Sequence, residues 1–141
     1  LKVAADTNVL VRSAVGDDPE QALLAAELLV NAEIVFVATE VLCEFVWVLR
    51  RGYRIEDAAI ADAIRKLIDA PNVRADRLAA EAGIAMLEAG GDFADGVIAY
   101  SGRIAGADMF VSFDRQAIKA LKTLGENAHD LSGGVPQDIP R

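Results

Sequence analysis

The chain changes its hydrophobic period repeatedly. Runs of three or four β-branched or apolar residues alternate with longer stretches in which apolar side chains recur every three or four positions. A short continuous apolar run suits a strand buried on both faces, and the intervening stretches are long enough for helical crossovers. Strand, helix, strand, helix at this spacing predicts an α/β fold: a central, mostly parallel sheet of four to five strands with helices on both faces.

The elements can be placed in order. Lys2 to Ala5 reads as a first strand, ended by Asp6-Thr7-Asn8, with a short helix over Val9 to Ala14. Asp18 caps a helix that has Pro19 at its first position and runs to Asn31. Ile34 to Val37 is a second strand. Thr39 is then expected to cap a helix that reaches Arg51 and stops at Gly52. A helix over Glu56 to Asp69, a weak strand over Val73 to Ala75 and a helix from Asp76 to Ala89 follow. Asp92 caps a helix to about Ala105, Met109 to Ser112 is a strand, and Asp114 opens a last helix through Leu124. One domain over residues 1–131 is the economical reading, with 132–141, holding Gly133, Gly134, Pro136 and Pro140, as a flexible tail.

Composition excludes several classes. A hydrophobic fraction of 53% with 26% charged residues is a globular balance, not a disordered one. The single cysteine, Cys43, rules out an internal disulfide framework and suits a reducing cytosol. No apolar run approaches the ~18 residues that span a bilayer, and the N-terminal Leu-Lys-Val-Ala-Ala-Asp lacks the apolar stretch of a signal peptide. The chain is read as a soluble, cytoplasmic protein with no membrane partner. Its formal charge of −8 argues against a broad basic nucleic-acid coat. It is compatible with a carboxylate cluster that binds cations, with a basic partner protein, or with plain solubility.

Four acids stand out. Asp6 ends the first strand and Asp114 follows the Met109 to Ser112 strand, so both are expected at the carboxyl edge of a parallel sheet, where ligands bind in open α/β folds. Either could instead be a helix cap. Glu44 lies in a helix that is apolar almost all round, where a lone carboxylate is costly. The alternative is a narrow solvated stripe shared with Glu40. Asp95 lies three residues after Asp92 at a helix start, as metal ligand or as dipole partner. Carboxylates brought together need raised pKa values or a cation, and all-oxygen ligation selects a hard ion, Mg²⁺ or Mn²⁺. Such sites do phosphoryl-transfer or nuclease chemistry. His129 stands alone and reads as structural or exposed, Cys43 reads as core, and there is no phosphate-loop or dinucleotide glycine pattern.

The same residues carry a resemblance. Ala5-Asp6-Thr7-Asn8-Val9-Leu10-Val11-Arg12 resembles the opening motif of PIN domains. Thr39 to Leu49, with its acid at Glu44, is similar to the second motif, Asp92 to Ile98 to the third, and Val111-Ser112-Phe113-Asp114-Arg115 to the fourth. Within that family the chain resembles the VapC-type toxins of toxin–antitoxin modules, which are short single-domain PIN proteins. The resemblance implies a Mg²⁺-dependent endoribonuclease in which Asp6 and Asp95 are the principal metal ligands. It implies that Glu44 binds metal directly or through water, and that Asp114 completes the pocket. Thr7, Asn8 and Ser112 would support the carboxylates. It further implies a homodimer and a cognate antitoxin. The apolar stretch Phe45, Trp47, Val48 and Leu49 is then either part of an interface or plain core. Arg12, Arg50, Arg51, Arg54 and Arg115 are phosphate contacts or ordinary surface charge. Gly96 departs from the family, which often has Ala there, and Gly125 to Asp130 matches the last strand poorly. Two other readings remain: a catalytically silent PIN-like binding module, and an aspartate-based phosphotransferase or phosphatase. Asn8 weakens the second, because it stands where an acid–base aspartate is wanted.

Overall fold

The structure is a computed structural model that describes residues 1–140; of the tail expected over 132–141, Arg141 lies outside the described residues. Two compact units divide the chain, residues 1–80 and residues from 81 onward.

In the first unit the chain runs β1 (Lys2–Ala4), α1 (Thr7–Val15), α2 (Pro19–Asn31), β2 (Ile34–Phe36), α3 (Thr39–Trp47), α4 (Asp57–Asp69) and β3 (Val73–Arg74). The strands form a parallel sheet in the order β1-β2-β3, with Val3 opposite Val35 and Val35 opposite Val73. Val35, Val37, Leu42, Val46, Ile60 and Ile64 are buried, which is the core that the apolar spacing of these segments requires. Asn72, in the turn before β3, donates from Nδ2 to the carbonyls of Leu29 and Ala32. That bond satisfies orphan acceptors at the end of α2.

The second unit holds β4 (Phe110–Ser112) and β5 (Ala128–Asp130), paired in parallel with Ser112 opposite Asp130, together with α6 (Phe93–Ile104) and α7 (Arg115–Thr123). The helix α5 (Arg77–Glu88) runs through the boundary. Met86, Ile118, Leu121 and Ala128 form a buried cluster that Phe110 packs against. The mixed α/β fold with parallel strands is as expected. Hydrogen bonding groups its five strands as three and two, and the poorly matching Gly125 to Asp130 stretch does contain the fifth.

Local differences have physical causes. Thr39 is not the cap of α3; Ala38 takes that position with no side-chain bond. The helix does not continue to Arg51 as α-helix. It widens after Trp47 into one π-helical turn, Val48–Gly52, closed by Tyr53 N–H to the Val48 carbonyl at 3.3 Å. The stop is not at Gly52 but at Arg54, which has a left-handed backbone with φ 52°, across which Ile55 N–H reaches the Leu49 carbonyl at 3.0 Å. Gly90 (φ 86°) does end α5 as expected.

Gly96 has a structural reason. A Cβ there would stand 2.5 Å from the Ala82 carbonyl oxygen and 2.6 Å from Met86 Cβ, so α5 and α6 approach closer than an alanine allows. Gly83 on α5 is filled in turn by the Phe93 ring, 2.5 Å from where its Cβ would lie. The helix-propensity loss at Gly96 is offset by this contact. Gly96→Ala is expected to destabilise the protein by about 1–3 kcal/mol, because a backbone carbonyl cannot step aside as a side chain can. Urea denaturation checks this, and an alanine variant as stable as the parent would contradict it.

Candidate functional site

The carboxyl ends of β1, β2 and β3 open onto a pocket of about 670 Å³, lined by Asp6, Val37, Thr39, Arg74 and Asp76 among others. A second pocket, of about 280 Å³, has Asp6, Thr7, Asn8 and Glu44 on its walls together with Arg12 and Tyr53. Asp6 borders both, at the edge where parallel sheets bind ligands.

Asp6 is the N-cap of α1, and its Oδ1 accepts from Thr7 N–H at 2.8 Å. The cap and site readings are therefore compatible: one carboxylate oxygen is held by the backbone, and the residue remains exposed. Thr7 is 6% exposed and donates its hydroxyl to Glu44 Oε2 at 2.7 Å. A buried hydroxyl needs a partner, and this one orients a carboxylate 37 residues away. Glu44 itself is exposed, as are Glu40 and Trp47, so the expected burial gives way to the solvated stripe. Phe45, Val46 and Leu49 turn inward on the same segment, while Trp47 stays 61% exposed. Asn8 is exposed beside them.

The other two acids belong to the second unit. Asp114 follows β4 and caps α7, its Oδ1 accepting from Gln116 N–H at 3.0 Å and Ala117 N–H at 3.2 Å. Ser112 Oγ accepts from Asp114 N–H at 3.0 Å, a bond to the backbone of that acid and not to its carboxylate. Asp95 sits half-buried in the first turn of α6, and Asp92 occupies its N-cap without a capping side-chain bond. Burial raises the Asp95 carboxyl above its ordinary value, and the negative charges of Asp92 and then Asp114 push it further in the same direction. Asp92 thus contributes charge to Asp95, whatever else it does.

The structure brings together Asp6, Thr7 and Glu44 in one set, and Asp92, Asp95 and Asp114 in another. Among the described residues no three Asp, Glu, His or Cys side chains already converge at metal-ligand spacing. The chemistry of the donors nevertheless fits a hard cation. They are all carboxylates, and Asp95 lies in a field of like charge that a cation would relieve. His129 is not near this chemistry in role: its Nε2 is 2.7 Å from the Gly134 carbonyl oxygen, which ties β5 to the following turn. Cys43 is half-buried on α3.

Three residues escaped sequence reasoning. Asp17, Gln21 and Tyr53 form a network around Arg12, which lines the smaller pocket. Asp17 precedes the Asp18 cap and Tyr53 follows Gly52, and neither position signals that the two meet. Tyr53 follows the π turn directly and lines the pocket.

The chain matches the PIN domain family over residues 3–123, and so belongs to that family. PIN domains are generally nuclease folds, and PIN nucleases typically use divalent metals and generally bind RNA. Comparison with the curated proteins gave no match. Among the described residues no helix is long and apolar enough to cross a membrane.

A carboxyl that ionises less readily in the folded chain than in the unfolded one holds its proton more tightly when folded. Its stabilising contribution is complete below the unfolded value of 3.8 and is lost as pH rises through the raised value. In metal-free protein, Asp95→Asn is therefore expected to raise Tm at neutral pH, with the advantage shrinking as pH falls towards 3.8. Thermal melts across that range check the sign. An unchanged or lower Tm at neutral pH would show that burial and like-charge repulsion do not penalise the ionised Asp95 in the folded chain.

Proposed function

We propose that this PIN-domain protein is a metal-dependent endoribonuclease that hydrolyses RNA phosphodiester bonds, with Asp6, Glu44, Asp95 and Asp114 supplying the carboxylates for Mg²⁺ or Mn²⁺. The observation that carries the reading is the Thr7–Glu44 hydrogen bond beside Asp6, at the carboxyl end of β1. It holds a carboxylate in a fixed orientation at the place where a catalytic centre is expected in this class of sheet. Family membership supports it independently.

A bound divalent ion would polarise a phosphate oxygen and lower the pKa of a water for in-line attack. The protein's share is to hold the acids. Asp6 and Asp114 are each anchored by backbone N–H groups through Oδ1, so their remaining oxygens are oriented. Thr7 does the same for Glu44, and Ser112 fixes the backbone that presents Asp114. These are the supporting bonds that keep ligands in place and tune them.

In the same proposal the protein is the toxin of a toxin–antitoxin pair, forms a homodimer and works in the cytoplasm, held inactive by its antitoxin. The acidic charge of −8 suits a basic antitoxin, and the exposed Trp47 suits an interface position. The catalytic domain is taken as residues 1–131, with 132–141 outside it.

RNA cleavage by the purified protein is expected with Mg²⁺ or Mn²⁺, to be absent in EDTA, and to be abolished by Asp6→Asn without loss of fold. Thr7→Val, which removes only the hydroxyl that orients Glu44, should reduce activity or metal affinity by about 10- to 100-fold. Cleavage that survives both EDTA and Asp6→Asn would overturn the metal-site assignment.

A further inference from the structure

The smaller pocket has walls of opposite sign. Asp6 and Glu44 lie on its lining, and among its described lining residues Arg12 is the one cation. Arg12 is unusually well held for a half-exposed side chain. Its Nε donates to Gln21 Oε1 at 2.7 Å, and its Nη1 donates to Asp17 Oδ1 at 3.0 Å and lies 3.5 Å from the Tyr53 hydroxyl. The Tyr53 hydroxyl in turn donates to Asp17 Oδ2 at 2.8 Å, so both oxygens of Asp17 are engaged and the partner of Arg12 is itself fixed. Nη2 takes no part in these bonds.

The other arginines singled out by sequence do not share this position. Arg50 pairs with Asp57 at 2.9 Å and Arg115 lies 3.6 Å from Asp130, and neither lines this pocket, nor do Arg51 and Arg54. A freely moving surface arginine loses rotamer entropy when it binds an anion. Arg12 has already lost it, because three side chains hold its guanidinium. Its charge is secure as well, since Asp17 raises its pKa further.

We propose that Arg12 is a substrate-positioning residue of this pocket: Asp17, Gln21 and Tyr53 hold its guanidinium so that the remaining N–H edge binds a non-bridging phosphate oxygen of a single-stranded RNA. The inference rests on the ribonuclease reading for the identity of the anion, but not for the presence of the site. A pocket with an acidic wall and a fixed guanidinium suits a polyanion that bridges the two once a cation neutralises the acids. Asp6 and Glu44 would hold a divalent ion on that wall, which would supply charge for the polyanion, and Arg12 takes one phosphate directly. Tyr53 and Asp17 then act through Arg12 and need not touch the RNA.

The test is binding, not turnover. Fluorescence anisotropy of a labelled, mixed-sequence single-stranded RNA is recorded with the full chain at a fixed Ca²⁺ concentration over a series of KCl concentrations. RNA intactness is verified on a gel. Loss of one phosphate contact on single-stranded nucleic acid should flatten the slope of log K against log salt by about 0.7. Arg12→Gln is expected to show that flattening together with weaker binding, and Arg12→Lys, which keeps the charge, to retain the parent slope. Arg12→Gln that binds with an unchanged slope overturns the proposal, even where its Tm falls, because a merely structural staple leaves the slope alone. Failure of the parent protein to bind the RNA overturns it too. Mg²⁺-dependent cleavage with a slope that ignores Arg12 removes only this assignment. An Arg12-dependent slope without cleavage in Mg²⁺ or Mn²⁺ instead removes the nuclease reading and leaves the phosphate site.

Discussion

Parallel strand pairing is the constraint on which the rest of this structure depends. Parallel neighbours cannot be joined by tight turns, so each strand must hand the chain to a crossover before the next begins. Every strand of a sheet therefore ends at the same edge. In the sheet β1-β2-β3, that edge is followed by Asp6, by the start of α3 that carries Glu44, and by Asp76. In the β4-β5 pair it is followed by Asp114 and by the turn after Asp130. Acids at strand ends serve two purposes at once. Asp6, Asp76, Asp114 and Asp130 each accept backbone N–H bonds that start the next helix or turn. A carboxylate has two oxygens, and capping uses only one in each of these bonds.

That economy leaves each of these acids an oxygen outside the cap. Asp6 and Asp114 are anchored and exposed, and each has a hydroxyl-bearing neighbour with a defined bond nearby, Thr7 to Glu44 and Ser112 to the Asp114 backbone. Asp95 is different. Its half-buried position beside two other carboxyls costs folding free energy in the ionised form. A protein keeps such a residue at some expense in stability, which is the pattern of functional sites.

The places where local rules are broken are informative in the same way. A glycine inside α6 looks unfavourable until the Ala82 carbonyl is placed 2.5 Å from its missing Cβ. The π turn after α3 and the left-handed Arg54 look like imperfect helix ending, yet they carry Tyr53 to a hydrogen bond with Asp17, 36 residues away. Exposed Glu44 on a mostly apolar helix is not a buried charge; the stripe of Glu40, Glu44 and Trp47 faces solvent while Leu42, Phe45 and Val46 form core.

Sequence alone determined the fold class, nearly all of the helices and strands, and the acids worth attention, because these follow from hydrophobic period, capping chemistry and residue type, all of which are local. It placed Asp18 and Asp114 as caps and Gly90 as a stop correctly. It could not decide that Thr7 bonds Glu44, that Gly96 is a contact and not a weakness, or that Asp17, Gln21 and Tyr53 converge on Arg12. Each of these depends on side chains brought together by tertiary packing, and the spacing along the chain carries no signal of a meeting across 36 or 37 residues. Nor could it separate exposed Glu44 from a buried one, because the same apolar helix satisfies either orientation until its neighbours choose the face that they cover.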